Sequence, residues 1–247
     1  MKCCVQTYTH EKPVERCSFY QRFGKRALDV LLSAALIVLL SWLLLIVAIL
    51  IRIRIGTPVI FSQIRPGLNE KLFKIIKFRT MTNEHDSNGN LLPDDRRMTK
   101  LGRWLRKTSL DELPELFNIL KGDMSFVGPR PQLVRDMVFM TQEQRKRHTI
   151  MPGLTGLAQI SGRNAISWEK KLDYDLKYME SVSLCSDLKI VVLTVIKAFV
   201  TQEDVSAPQM ETSMDLGDYL LKIGLLSEAD YERRQYEATQ IEAATKQ

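Results

Sequence analysis

Between Val30 and Ile51 the chain runs for 22 residues without a charge, VLLSAALIVLLSWLLLIVAILI. At 1.5 Å of rise per helical residue this is long enough to cover the hydrocarbon of a bilayer, so a membrane segment is expected. A secretory signal does not fit. The run starts late, exceeds an h-region, and meets Arg52 and Arg54 rather than small residues at its end. Lys12, Arg16, Arg22, Lys25 and Arg26 precede it, and Arg52, Arg54, Arg65 and Lys71 follow it. A spanning helix satisfies the positive-inside tendency on one side only, whereas a segment that enters and returns satisfies it on both. A return needs a break near the middle. Ser41-Trp42 stands there, and a serine hydroxyl bonding back to the carbonyl four residues earlier bends a helix, though less forcefully than proline.

The remaining charge is unevenly spread. Residues 201–247 hold four Lys/Arg against ten Asp/Glu, whereas residues 1–200 hold 31 against 19, a basic body of net +12. Such a body favours anionic partners: phospholipid head groups, nucleotides or nucleic acid. Nucleic acid is disfavoured, because the aromatic residues are not interleaved with the basic ones as stacking platforms. Cys3, Cys4, Cys17 and Cys185 show neither zinc nor disulfide spacing and read as reduced thiols. A metal site from Cys3, Cys4, His10 and Cys17 would need an adjacent pair in poor tetrahedral geometry.

After the apolar run, turns are expected at Gly56-Thr57-Pro58 and Arg65-Pro66-Gly67, with strands at Val59–Phe61 and Leu72–Met81. TNEHDSNGNLLPDDRR reads as an exposed loop, and MTKLGRWLRKT as a short amphipathic helix suited to a membrane interface. In SLDELPELFNILKGDM, Leu113, Leu116, Phe117 and Leu120 recur at helical spacing, Pro114 belongs in the first turns, and Gly122 ends the helix. MPGLTGLAQISGRN is turn-forming. SWEKKLDYDLKYMESVSLCSDLKIVVLTVIKAFV reads as a helix followed by an apolar helix from about Asp187 to Val200. A linker follows Thr201, then two short helices broken at Gly224 and capped by Ser227.

Asp111 and Glu112 admit two readings. Ser109-x-x-Glu112 fits a capping box, with acidic side chains at a positive helix end. Yet Lys77, Arg79, Arg106, Lys107, Arg130 and Arg163 crowd the neighbouring motifs, and several cations around a carboxylate pair suit a phosphate site with a divalent metal.

The strings KRALDV, FSQIRPG, FKIIKFRTM, SLDELPELFNILKGDMSFVGPRP and MPGLTGLAQISGRN occur in order between residues 20 and 200. In these the chain resembles the small monotopic phosphoglycosyl transferases of the bacterial sugar transferase family. The resemblance implies an α+β fold: an N-terminal reentrant membrane helix hairpin, interfacial amphipathic helices and a small cytoplasmic catalytic body. The expected division is a basic segment 1–25, a membrane helix 26–55, a catalytic domain 56–200 and an acidic helical extension 201–247. It also implies transfer of a sugar-1-phosphate from a UDP-sugar to undecaprenyl phosphate, releasing UMP, at the cytoplasmic face of the bacterial inner membrane. Asp111 matches the nucleophile and Glu112 a Mg²⁺ ligand. Arg130 is the leading phosphate clamp and Lys77 a second cation, each alternatively a structural partner of the carboxylates; Arg79 and Arg163 are further phosphate- or substrate-binding candidates, and Ser41-Trp42 stands where the family breaks its membrane helix with Ser-Pro. Membrane lipid and downstream glycosyltransferases are the implied partners. Residues 215–247 weakly resemble the helical docking module that opens secretion-type ATPases, and a plain amphipathic tail is the competing reading. The competing class is a non-catalytic membrane adaptor, whose basic body binds lipid and whose acidic tail docks a partner.

Overall fold

The computed structural model describes residues 19–162, 166–197 and 214–245. A π-helical turn, Tyr20–Gly24, leads into α1 (Lys25–Leu39), and α2 (Ser41–Arg54) follows after a single intervening residue. Leu40 leaves helical geometry at φ −97° and ψ 7°, and the two halves bend by 62°. Ser41 Oγ donates to the Val38 carbonyl at 2.9 Å, three residues back rather than four. The bend therefore forms at Leu40 without proline, and Trp42 projects outward with 61% of its surface exposed. Neither half is long and apolar enough to cross a membrane alone. One side of the pair is exposed at Leu31, Val38, Leu45, Ile49 and Ile53, while Val47 and Ile51 pack with Phe78 and Leu105.

β1 (Ile60–Pro66) pairs antiparallel with β2 (Leu72–Phe78), from Ile60 opposite Phe78 to Pro66 opposite Leu72. The turn expected at residues 65–67 thus lies at 67–71. Proline is tolerated as the last ladder residue, and Asn69 and Glu70 take positive φ to reverse the chain. The polar stretch 82–97 is largely exposed and carries α3 (Asp94–Arg97). α4 (Lys100–Lys107) matches the expected amphipathic helix, capped by Thr99 and burying Leu105 while exposing Trp104.

α5 (Glu115–Lys121) ends at Gly122 in the left-handed conformation, as expected. Its start differs. Ser109 has φ 55° and makes no side-chain cap, so the capping box with Glu112 is not formed. The cause lies upstream: Ser109 N–H bonds the Arg106 carbonyl, so Ser109 serves as the left-handed terminator of α4. Asp111 and Glu112 instead occupy a 3₁₀ turn, Leu110–Glu112, immediately ahead of Pro114 and α5.

β3 (Ser125–Val127) precedes α6 (Val134–Met137) and α7 (Gln142–Arg145), and pairs in parallel with β4 (Gly153–Thr155). Two of the three glycines expected to form turns in 151–164, Gly153 and Gly156, serve this pairing. A Cβ on Gly153 would lie 2.1 Å from Gly128 N, and one on Gly156 2.2 Å from Gly128 O. α8 (Leu157–Ser161) leads to α9 (Trp168–Glu180) and α10 (Leu184–Ile196); α10 starts ahead of Asp187 because Ser183 caps it. α11 (Leu216–Lys222) and α12 (Glu228–Ala244) flank Gly224 at φ 74°, with Ser227 as the expected cap. Leu216 and Ala238 join Val134, Met137, Phe139 and Trp168 in one core cluster, so this extension is packed on the body. Cys185 is a free, exposed thiol. Cys3, Cys4, His10 and Cys17 lie outside the described residues.

Candidate active site

A 3₁₀ turn advances about 120° per residue, so neighbours face different directions. Asp111 turns inward, with 8% of its surface exposed, while the Glu112 side chain keeps 20%. Glu112 Oε1 is gripped from two sides, by Arg130 Nη2 at 2.6 Å and Lys77 Nζ at 2.8 Å. Lys77 also lies 2.9 Å from Glu115, one turn further along and almost wholly buried. The structure thus brings Asp111, Glu112, Lys77 and Arg130 together and adds Glu115. The sequence reading passed over Glu115, since an acid in a first helical turn is ordinary; its only signal was the third carboxylate in DELPE.

Other side chains fix this arrangement. Asn118 of α5 accepts from Ile76 N–H at 3.1 Å and donates to the Lys74 carbonyl at 2.8 Å, pinning the helix to the strand that carries Lys77. From the opposite side, Arg26 donates to the carbonyls of Ile119 and Leu120, and Asp29 accepts from Phe126 N–H. Helix α1 is therefore stitched to the rear of α5. Arg130 sits between β3 and α6, its own carbonyl taking Arg147 Nη2 at 2.6 Å.

Arg79 differs from expectation. Its buried guanidinium donates to the carbonyls of Met81, Thr57 and Pro58, holding the turn before β1, and no ion pair joins it to the carboxylates. β2 ends at Phe78, so the strand alternation that would have aimed Arg79 beside Lys77 is lost. Arg163 lies outside the described residues. Arg106, one of the cations that crowd the motif in the sequence, donates to Thr80 Oγ1 and contributes positive potential at Asp111.

The charges divide the carboxylates into different states. Burial, then the adjacent Glu112 charge, raises the Asp111 pKa to about 6. Burial and the same charge raise Glu115 to about 7. Burial opposes ionisation of Glu112 too, but Arg130 and Lys77 outweigh it and hold Glu112 well below the usual carboxylate range. Glu112 in turn raises the Arg130 guanidinium. The result is one firmly ionised carboxylate between two cations, beside a buried carboxylate that is mostly ionised at neutral pH. The Arg130 side chain remains 40% exposed and so can meet a ligand.

Among the described residues no three His, Cys, Asp or Glu side chains converge as a metal cage. Mg²⁺ does not need one: it binds through one or two carboxylates and completes its shell with substrate phosphates and water. Asp111 and Glu112 fit that donor set, with Glu112 the better placed to reach solvent.

Residues 20–201 match the family model described as bacterial sugar transferase. The chain is 52% identical over 178 residues to the uncharacterized sugar transferase EpsL of Bacillus subtilis, covering 72% of this chain and 88% of that protein. It is 42% identical to a UDP-glucose:undecaprenyl-phosphate glucose-1-phosphate transferase of Klebsiella pneumoniae, over 72% of this chain and 40% of that protein. It is 41% identical to the galactosyl transferase CpsE of Streptococcus agalactiae, over 69% of this chain and 41% of that protein. The chain thus spans most of the first relative and about two fifths of the other two. With the family model covering most of its length and the site built from that stretch, the chain belongs to the bacterial sugar transferase family.

Proposed function

We propose that the chain transfers a sugar-1-phosphate from a UDP-sugar to undecaprenyl phosphate, as the first membrane step of bacterial glycan assembly. The observation that carries this reading is the buried Asp111 beside a Glu112 carboxylate clamped between Lys77 and Arg130. The names of relatives such as the Klebsiella transferase support the substrate classes.

In this reading an Asp111 carboxylate oxygen attacks the phosphorus that bears the sugar, and the bond to the nucleoside phosphate breaks. UMP leaves with the bonding electrons, and an aspartyl phosphosugar remains. A phosphate oxygen of undecaprenyl phosphate then attacks the same phosphorus, expelling Asp111 as carboxylate and forming undecaprenyl diphosphate-sugar. Burial favours Asp111 as nucleophile by stripping water from an oxygen that needs no deprotonation. Arg130 and Lys77 offset the donor's negative charge, and release of the Glu112 grip on either one provides a cation for phosphate. Mg²⁺, held through Glu112, supplies further charge neutralisation when bound.

The membrane placement is part of the proposal. Basic residues at both ends of the bent pair, Arg22, Lys25 and Arg26 against Arg52 and Arg54, favour a reentrant hairpin with the body on the cytoplasmic face. The exposed apolar residues of the pair, with Trp104 of α4, Phe117 of α5 and Leu188 and Val192 of α10, supply the surface for lipid. The lipid-linked product would pass to downstream glycosyltransferases.

The decisive assay incubates the protein with Mg²⁺, undecaprenyl phosphate and a panel of UDP-sugars and follows UMP. Release with at least one donor, abolished by Asp111→Asn, is expected. Absence of UMP with every donor, or undiminished release by the variant, refutes the enzyme. For topology, labelling Cys17 in intact cells with an impermeant thiol reagent overturns the hairpin.

A further inference from the structure

We propose that Met214, Asp215 and Leu216 form a clip that positions Arg130, making residues 214–245 a working part of the active site although the family match ends at residue 201. The inference rests on the reading of Arg130 as a cation that meets donor phosphate.

Arg130 is carried by a turn with little regular structure of its own. α6, immediately after it, has four residues, too few to be stable through helical bonding alone. The turn must be fixed by its neighbours. One hold comes from Arg147, which bonds the Arg130 carbonyl and is itself paired with Asp175 of α9. A second is Arg65, whose Nη1 donates to the Pro131 carbonyl at 3.3 Å.

The clip joins α9, which anchors Arg147 through Asp175, to α6, which follows the Arg130 turn. Trp168 Nε1, at the start of α9, donates to the Met214 carbonyl at 2.9 Å. Asp215 pairs with Arg135 of α6 at 2.6 Å. Leu216 N–H donates to Asp136 Oδ1 at 2.9 Å, while the other Asp136 oxygen accepts from Leu133 N–H at 3.1 Å and starts α6. Three consecutive residues thereby fasten α9 to α6 across the turn that bears Arg130. The Arg135 pair is half-exposed and contributes little, so the part-buried bond to Met214 and the buried bond from Leu216 do most of the fastening.

The two helices that follow hold the clip in place. Gly217 lies so close to Phe139 that a Cβ would be 2.5 Å from the ring. Tyr231 stacks on the same ring with centroids 5.7 Å apart, and Arg234 donates to the Val138 carbonyl at 2.9 Å. An arginine on a fixed turn loses less freedom when it takes up phosphate than one on a loose turn, and this is how distant packing acts on affinity.

The test measures UDP affinity by calorimetry with Mg²⁺ in the full-length protein. Trp168→Phe with Asp215→Ala removes two clip contacts while keeping an aromatic ring in the core, and Asp136→Ala, which leaves no acceptor for Leu216 N–H, cuts the clip from the other side. Both are also combined with Arg130→Ala in a double-mutant cycle, with folding checked by thermal melting. We expect each clip variant to weaken UDP binding roughly 5- to 10-fold in the parent and less than about twofold once Arg130 is gone. Equal weakening in both backgrounds indicates a general structural role and overturns the proposal, as does unchanged affinity in the parent. If Arg130→Ala alone leaves UDP affinity unchanged, the reading of Arg130 as a phosphate cation fails instead, and the clip has nothing to position.

Discussion

Arg147→Met tests the buried ion pair beneath the site. Arg147 and Asp175 are 1% and 4% exposed, and Arg147 bonds Asp175 Oδ2 through Nε at 2.9 Å and Nη2 at 2.7 Å. Removing the guanidinium strands Asp175 in the interior and frees the Arg130 carbonyl, and breaking such a pair costs about 3–5 kcal/mol. For a chain of this size each kcal/mol lowers Tm by about 2–4 °C, so a drop of roughly 6–20 °C is expected. Burial already pushes the Asp175 pKa up against the pull of Arg147. In the variant that pull is gone, so the folded pKa rises further above the unfolded value. The folded variant is then penalised progressively as pH rises, and its deficit against the parent is larger at pH 8 than at pH 5. Arg147→Met with Asp175→Leu removes both charges and is expected to recover most of the loss. Thermal melting of the purified protein at the two pH values decides. A single-variant drop below about 3 °C, or a double variant no better than the single, refutes the reasoning.

Three other perturbations follow from the same structure. Burial, then the Arg147 charge, holds His148 near a pKa of about 4, with Glu70 3.4 Å from Nδ1 and Arg145 nearby. The imidazole is therefore neutral at pH 7 and its contact with Glu70 is not an ion pair there. The unfolded chain takes up the proton near pH 6.5, so the contribution of His148 to stability falls by about 2 kcal/mol between pH 7 and pH 5. Urea titrations of the parent and His148→Phe should differ in that slope, and parallel curves would remove His148 from the account. Gly102→Ala places a Cβ 1.9 Å from the Thr80 carbonyl oxygen, forcing α4 off its seat and lifting Arg106 from Thr80; a loss of about 1–3 kcal/mol is expected in melting, and an unchanged Tm contradicts the packing. Lys77→Met leaves Glu112 and Glu115 facing donor phosphate without their shared cation. UDP affinity should fall at least about tenfold by calorimetry, and an unaltered Kd would confine Lys77 to a structural role.

Local signals in the sequence carried over well. The α4 amphipathic pattern, Gly122 as a stop and Ser227 as a cap each act within a few residues, and each is found in place. Ser109 misleads because two helices compete for it, and the end of α4 claims the residue that also fits a box for the next helix. Lys77 and Arg79 look equivalent as charges two apart, yet the strand stops between them and only Lys77 reaches the carboxylates. β3 and β4 are three residues each and pair in parallel across a long separation, so neither carries a periodic pattern of its own. Glu115 becomes visible only when Asn118 seats α5 on β2 and brings a first-turn acid against Lys77.

The stitch between α1 and α5 bears on how this enzyme can be handled and engineered. Arg26 closes the carboxyl end of the helix whose other end presents Glu115 to Lys77, and Asp29 takes the Phe126 N–H of β3. Removing the apolar pair to obtain a water-soluble fragment would uncap α5 and open the cluster around Phe73, Ile119 and Met124 to solvent. Replacing it with another apolar segment would not restore those bonds. The pair is thus non-modular, and chimaeras that retain activity should be those whose junction falls ahead of Lys25.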